Sequence, residues 1–205
     1  PAACMDITGH TDSEAFQALS AVSDDGVLAI IADVNGPSYR PVGAAMAVLG
    51  SEQRVGSLSS GCIEKDIALQ AMRVLETGQP EIVRYGEGSP YIDIQLPCGG
   101  GLEVLLVPRP NRQALAKLGR NHSARIASTL VIDVESGEMS IAEEGETGRK
   151  DGKLFVRVEA DIAFNIFGKG PEASTFAALA RSAGYPAVLL SPDQTRIPYV
   201  PLAEM

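Results

Sequence analysis

The strongest constraint on this chain is the run Val27 to Val34, nearly unbroken in apolar residues and rich in Ile and Val. It has the length of a strand and reads as one buried in a sheet. A second such run, Leu102 to Val107, has the same character. Neither approaches the roughly 18 to 20 residues of a membrane helix, so no membrane association is expected. The first run ends in Asn35-Gly36-Pro37-Ser38-Tyr39-Arg40-Pro41-Val42-Gly43, a loop forced by two prolines and two glycines. Ahead of it, Thr11 and Glu14 read as a capping box opening a helix through Ala21. Beyond it, Ala44 to Leu49 and Arg54 to Ser57 read as a hairpin.

Apolar residues at Ile63, Ile67, Ala71, Val74 and Leu75 recur with a helical period, and Gly78 and Pro80 stop that helix. Glu81 to Tyr85 and Tyr91 to Leu96 alternate as strands, and Pro97-Cys98-Gly99-Gly100-Gly101 forms a sharp loop before Leu102. Asn111 to Leu118 reads as a short helix; Ala124 to Val134, Glu138 to Ala142 and Lys153 to Glu159 read as antiparallel strands. Asp161 to Phe167, Pro171 to Ala183 and Ala187 to Leu190 complete a strand, a helix and a strand. The expected class is α/β: a glycine-rich α+β domain over 1–121, an antiparallel β linker region over 122–160, and a partial Rossmann-like β-α-β unit over 161–205.

Three loops carry candidate chemistry, because glycine lets backbone amides approach a ligand closely. In the first, Ser38 and Tyr39 supply hydroxyls and Arg40 a fork suited to phosphate or carboxylate; the alternative is a rigid loop whose Arg40 pairs with a nearby acid. In the second, Ser57, Ser59 and Ser60 stand at a helix N-terminus, where unpaired amides favour anions and the Cys62 thiolate. The alternative there is that Ser60 caps the helix, Cys62 packs as a small hydrophobe, and Glu64 favours the helix dipole. Lys65 and Asp66 fit a solvated face. In the third, Cys98 precedes Gly99, Gly100 and Gly101, a run that suggests a backbone packed against something flat or charged.

The net charge of −9 argues against nucleic acid as a partner. Three cysteines, Cys4, Cys62 and Cys98, fit a reduced cytoplasmic chain, and the first residues lack a basic region ahead of an apolar stretch. The spacing of Cys and His fits no zinc site, and two distant histidines, His10 and His122, assemble no hydrolase triad.

Taken together, Gly36 to Ala44, Gly56 to Glu64 and Cys98 to Val104 resemble the XdhC/CoxI family, with a likeness running over roughly residues 14 to 191. Two departures stand out: Ser60-Gly61-Cys62 where the family commonly has two glycines before the cysteine, and Pro97 where a glycine is more usual. The resemblance implies a non-catalytic accessory protein that binds the molybdenum cofactor, allows its sulfuration, and inserts it into an apo-molybdenum hydroxylase such as xanthine dehydrogenase. A sulfur-donating desulfurase is then a further partner. Carried over by motif, Ser38, Tyr39, Arg40, Ser59, Ser60, Gly61, Cys62, Glu64, Cys98, Gly99 and Gly100 are the implied cofactor contacts, with no catalytic residue and no protein-bound metal.

The C-terminal segment carries its own motif. Gly168-Lys169-Gly170-Pro171-Glu172-Ala173 follows a strand and opens a helix, matching G-x-G-x-x-A, so Gly168, Gly170 and Ala173 are candidate NAD(P) contacts. A second reading of the chain is accordingly an NAD(P)-dependent oxidoreductase. Against it, the acid expected at the end of the second strand is replaced by Ser191, with Asp193 beyond. The segment is long enough for one β-α-β unit, whose unpaired edges call for cover from the first domain or from a second copy in a homodimer.

Overall fold

The computed structural model describes residues 12–22, 26–50, 53–59, 61, 63–87, 89, 96 and 99–191. The described residues fall into two compact units, one within Thr11–Ala160 and one within Asp161–Met205. The architecture is mixed α/β, as expected.

The larger unit is built on the two apolar runs. β1 (Gly26–Asn35) and β5 (Gly101–Pro108) pair antiparallel at the centre of a five-stranded sheet. β2 (Ala45–Leu49) flanks β1 and carries β3 (Gln53–Gly56) on its outer side, and β4 (Glu81–Gly86) flanks β5, giving the order β3-β2-β1-β5-β4. Alternate side chains of a strand leave on opposite faces, and here both faces are buried. Val27, Ala29 and Ile31 of β1 with Val104 and Leu106 of β5 meet α2 (Glu64–Thr77) through Ile67, Ala71 and Val74. Leu28, Ile30 and Ala32 with Leu105 and Val107 face the other way, toward α1 (Asp12–Ala21) and α3 (Arg112–Ser123). That double burial is why β1 is apolar at successive positions where a one-sided strand would alternate.

The same second core takes in Leu130, Ile132, Leu154 and Val156. They belong to a four-stranded antiparallel sheet of β6 (Ser128–Asp133), β7 (Met139–Ala142), β8 (Gly148–Lys150) and β9 (Lys153–Val158), ordered β7-β6-β9-β8. The stretch expected as a linker region thus shares a core with the first five strands. β8 is not among the strands expected from sequence, because its Gly148-Arg149-Lys150 has no apolar alternation to announce it. Residues 91–95, expected as a strand, lie outside the described residues.

In the smaller unit, β10 (Phe164–Phe167) and β11 (Ala187–Leu190) pair in parallel and are joined by α4 (Pro171–Ser182). Phe164 meets Phe176 and Tyr185 edge to face, with ring centroids 5.4 and 5.6 Å apart. Among the described residues no helix is long and apolar enough to cross a membrane.

Candidate functional site

The register of the five-stranded sheet brings the glycine-bearing loops to one end. β1 runs toward Asn35, which pairs with Gly101 at the start of β5, and Gly101 pairs with Gly86 at the end of β4. On the other side Ile30 pairs with Ala45, and Met46 with Gly56 at the end of β3. The first loop leaves β1, the second leaves β3 and the third enters β5, so all three form one rim.

Gly100 joins the first and third loops. A Cβ there would stand 2.8 Å from the Asn35 carbonyl oxygen and closer still to that of Pro37. A Cβ on Gly101 would meet the Glu87 carbonyl at 2.9 Å. Both glycines therefore answer to the chain's own backbone. Gly99 differs: it is exposed, with φ +77° and open space where a Cβ would point.

The first loop is held at both ends. The Ile31 amide donates to the Ala44 carbonyl and the Gly43 amide to the Ile31 carbonyl, each at 2.9 Å. The Ser38 hydroxyl is turned inward, donating to the Arg40 carbonyl at 2.7 Å and accepting the Arg40 amide at 3.3 Å. Arg40 Nη2 donates to Asp12 Oδ1 at 2.6 Å, and the same oxygen accepts the Ala45 amide at 2.9 Å. The pairing of Arg40 with a nearby acid is thus present, through one terminal nitrogen. Tyr39 is 59% exposed, and among the described residues its hydroxyl has no hydrogen-bond partner.

The second loop is organised by Glu64. Its carboxylate, on a residue only 8% exposed, folds back over the N-terminus of α2. Oε1 accepts the Ser57 hydroxyl at 2.8 Å, the Leu58 amide at 3.0 Å and the Ser59 amide at 2.7 Å. Oε2 accepts the Ser59 hydroxyl at 2.9 Å and the Ile63 amide at 3.2 Å. Burial by itself raises the carboxyl pKa, but the Ser59 amide, the Ser57 and Ser59 hydroxyls and the Glu64 amide outweigh it and bring it down to about 2. Leu58 and Ile63 anchor the loop in the α2-facing core.

The unpaired amides expected to await an external anion are therefore met by a carboxylate of the same chain. The N-cap position of α2 is Ile63, and the Ser59 hydroxyl accepts its amide at 3.1 Å; the sequence pointed instead to Ser60 as the cap. Sequence reasoning placed Glu64 in the first turn without its buried role, since a Glu there is also common on exposed helix starts. Asp66, expected on a solvated face, accepts the hydroxyl of buried Tyr85 at 2.7 Å. Gly61 is exposed with φ +102°. Ser60, Cys62 and Cys98, along with Thr11, lie outside the described residues.

Among the described candidates, Tyr39, Arg40, Gly61 and Gly99 keep groups toward solvent. Ser38, Ser59, Glu64 and Gly100 are engaged inside the rim. A cleft of about 560 Å³ lies at the opposite end of the sheet, beside Pro108 and Arg109. Two of its polar side chains are in use there: Arg109 bonds the Leu75 carbonyl and Asn111 caps α3.

In the smaller unit, Gly170 is the N-cap of α4 and Pro171 its first residue. A Cβ on Gly168 would meet that of Ala173 at 2.9 Å, so this pair allows close strand-helix approach. The Glu172 carboxylate lies against Gly170, placing a negative group where a pyrophosphate would need to enter.

Comparison with known proteins adds to this geometry. Residues 20–86 match the model of the XdhC and CoxI family. The chain is 31% identical over 160 residues to the molybdenum cofactor insertion chaperone PaoD of Escherichia coli, covering 78% of this chain and 50% of that protein. It is 24% identical over 206 residues to a probable xanthine dehydrogenase subunit of Bacillus subtilis, covering 85% and 62%. The chain thus spans between half and about three fifths of the curated relatives it matches. Its fold aligns with a crystal structure of a xanthine dehydrogenase from Bacillus halodurans at a TM-score of 0.69 and 24% identity, covering 87% of this chain and 62% of that one. The family likeness therefore holds over the first two of the glycine-bearing motifs: residues 20–86 are an XdhC and CoxI family segment.

Proposed function

We propose that this chain binds the molybdenum cofactor at the rim of its five-stranded sheet and delivers it to a molybdenum hydroxylase. The observation that carries the reading is the gathering of three glycine-bearing loops at one rim, with Tyr39 and one edge of Arg40 left open to a guest. The likeness to a cofactor insertion chaperone supports it. The chemistry fits a pterin with a phosphate tail: an exposed aromatic ring offers a face for stacking, and a guanidinium fork suits the phosphate. The cofactor is cargo here, and the chain's residues hold and release it.

The finer reading includes sulfuration of the bound cofactor by a desulfurase, with Cys62 or Cys98 near the reacting group, in the cytoplasm. Replacing each cysteine by Ala tests this: a lower sulfido content of the cofactor is expected, and unchanged content in both variants contradicts it. A homodimer belongs to the same reading, because among the described residues the outer edges of the two-stranded β-α-β unit carry no further strand; light scattering at the mass of a single chain contradicts it. The test of the main claim is to mix purified protein with isolated molybdenum cofactor and follow both through a sizing column. Co-elution is expected, and separation of the two overturns the reading.

A further inference from the structure

We propose that Asp12 is the positioning residue for Arg40, fixing its guanidinium so that the remaining edge receives the anionic group of a ligand at the rim. The inference rests on the reading of the rim as a binding site. Two observations lead to it. The first is an exclusion: the amides of Leu58, Ser59 and Ile63 at the start of α2 are already directed at Glu64. An arriving phosphate would have to displace a buried carboxylate there. That leaves Arg40 as the cation on the first loop.

The second observation is how Arg40 is held. A guanidinium offers five N–H donors in a planar fork. Nη2 is bound to Asp12 at 2.6 Å, while Nε and Nη1 have no partner among the described residues. Asp12 is itself fixed, since the same Oδ1 accepts the amide of Ala45, the first residue of β2. A continuous path runs from the sheet through Ala45 and Asp12 to the fork. The pair stays within reach of solvent, with side-chain exposures of 27% for Arg40 and 34% for Asp12. An arginine held in this way needs less ordering when it binds; Nη2 keeps a second N–H, which with Nε or Nη1 completes a two-donor edge for parallel bonds to phosphate or carboxylate. Asp12 offsets the charge of Arg40, so selection at this place depends on geometry more than on net attraction.

The test uses the whole chain. Asp12→Asn keeps an oxygen for the Ala45 amide and removes the charge, so the thermal midpoint should stay close to that of the parent. With ¹⁵N-labelled arginine, the Arg40 Nη signals should be distinct in the parent and merge in D12N as the fork begins to rotate. Affinity for isolated molybdenum cofactor should fall by about twofold to fivefold, the range of a solvent-reachable ion pair. Asp12→Glu should restore part of it. D12N combined with Arg40→Ala should bind no more weakly than R40A alone, because Asp12 acts through Arg40. Unchanged affinity in D12N, or losses that add in the double variant, would overturn the assignment. If the parent binds no cofactor, the functional reading fails separately. Titration with inorganic phosphate then decides on Asp12: a phosphate-dependent shift of the Arg40 Nε–H signal that weakens in D12N upholds it, and an identical response or none in the two proteins overturns it.

Discussion

The first and second loops look alike in sequence, each mixing glycine, serine and a charged residue after a strand, yet they are in opposite states. In the second, five donors from Ser57, Leu58, Ser59 and Ile63 converge on Glu64 and are satisfied within the chain. In the first, Ser38 closes its own turn while Tyr39 and the far edge of Arg40 remain open. A helix N-terminus attracts anions, but the anion can be the protein's own. Around Glu64 the second loop is then a support, and the open side of the first is a part that can meet a ligand.

The sharpest way to break this contrast is Glu64→Ala. It leaves buried amides and hydroxyls without an acceptor, and the expected loss is roughly 3 to 5 kcal/mol, read by urea unfolding. A loss comparable to an exposed surface substitution would show that the second loop does not depend on its carboxylate.

Acid titration probes the same group with a definite sign. Its folded pKa of about 2 lies below the ordinary 4.5. The stabilisation is therefore complete above pH 4.5 and is lost as pH falls toward 2, by about 3 kcal/mol in all. In Glu64→Gln that part of the acid dependence should be missing, and identical acid profiles for parent and variant would contradict the assignment.

The third loop sharpens the comparison further. Gly100→Ala must push against the backbone carbonyls of Asn35 and Pro37 and should cost about 2 to 3 kcal/mol. Gly99→Ala meets only the strain of its positive φ and should cost about 1 kcal/mol. Equal effects in thermal melts would mean that the two glycines share one role. The smallest expected change in stability is that of Tyr39→Ala, within about 0.5 kcal/mol, because the ring is largely exposed. A larger loss would make Tyr39 part of the frame.

The frame was largely legible. β1 and β5 declared themselves as apolar runs because both of their faces are buried, and α2 through its period and the Gly78 stop. β8 was not legible, since a three-residue edge strand of Gly, Arg and Lys carries no pattern. In the second sheet, Leu130, Ile132, Leu154 and Val156 alternate as half-buried strands do, but alternation does not say which core they join. At the rim, residue types singled out Arg40, with pairing to a nearby acid as one reading, and placed Glu64 in the first turn of α2 without its role as acceptor. Their partners were hidden, because Asp12 lies 28 positions from Arg40 and such pairing is set by the tertiary fold. The direction of the Glu64 side chain, back over its own helix start, likewise follows from the burial of Leu58 and Ile63 on either side.

The most direct test compares the affinity of the parent and of the double variant Tyr39→Ala with Arg40→Ala for isolated molybdenum cofactor, with thermal midpoints measured alongside. The account predicts a folded double variant whose affinity falls by about tenfold or more. A double variant that melts like the parent and holds the cofactor equally well would contradict the claim that the open side of the first loop receives the guest.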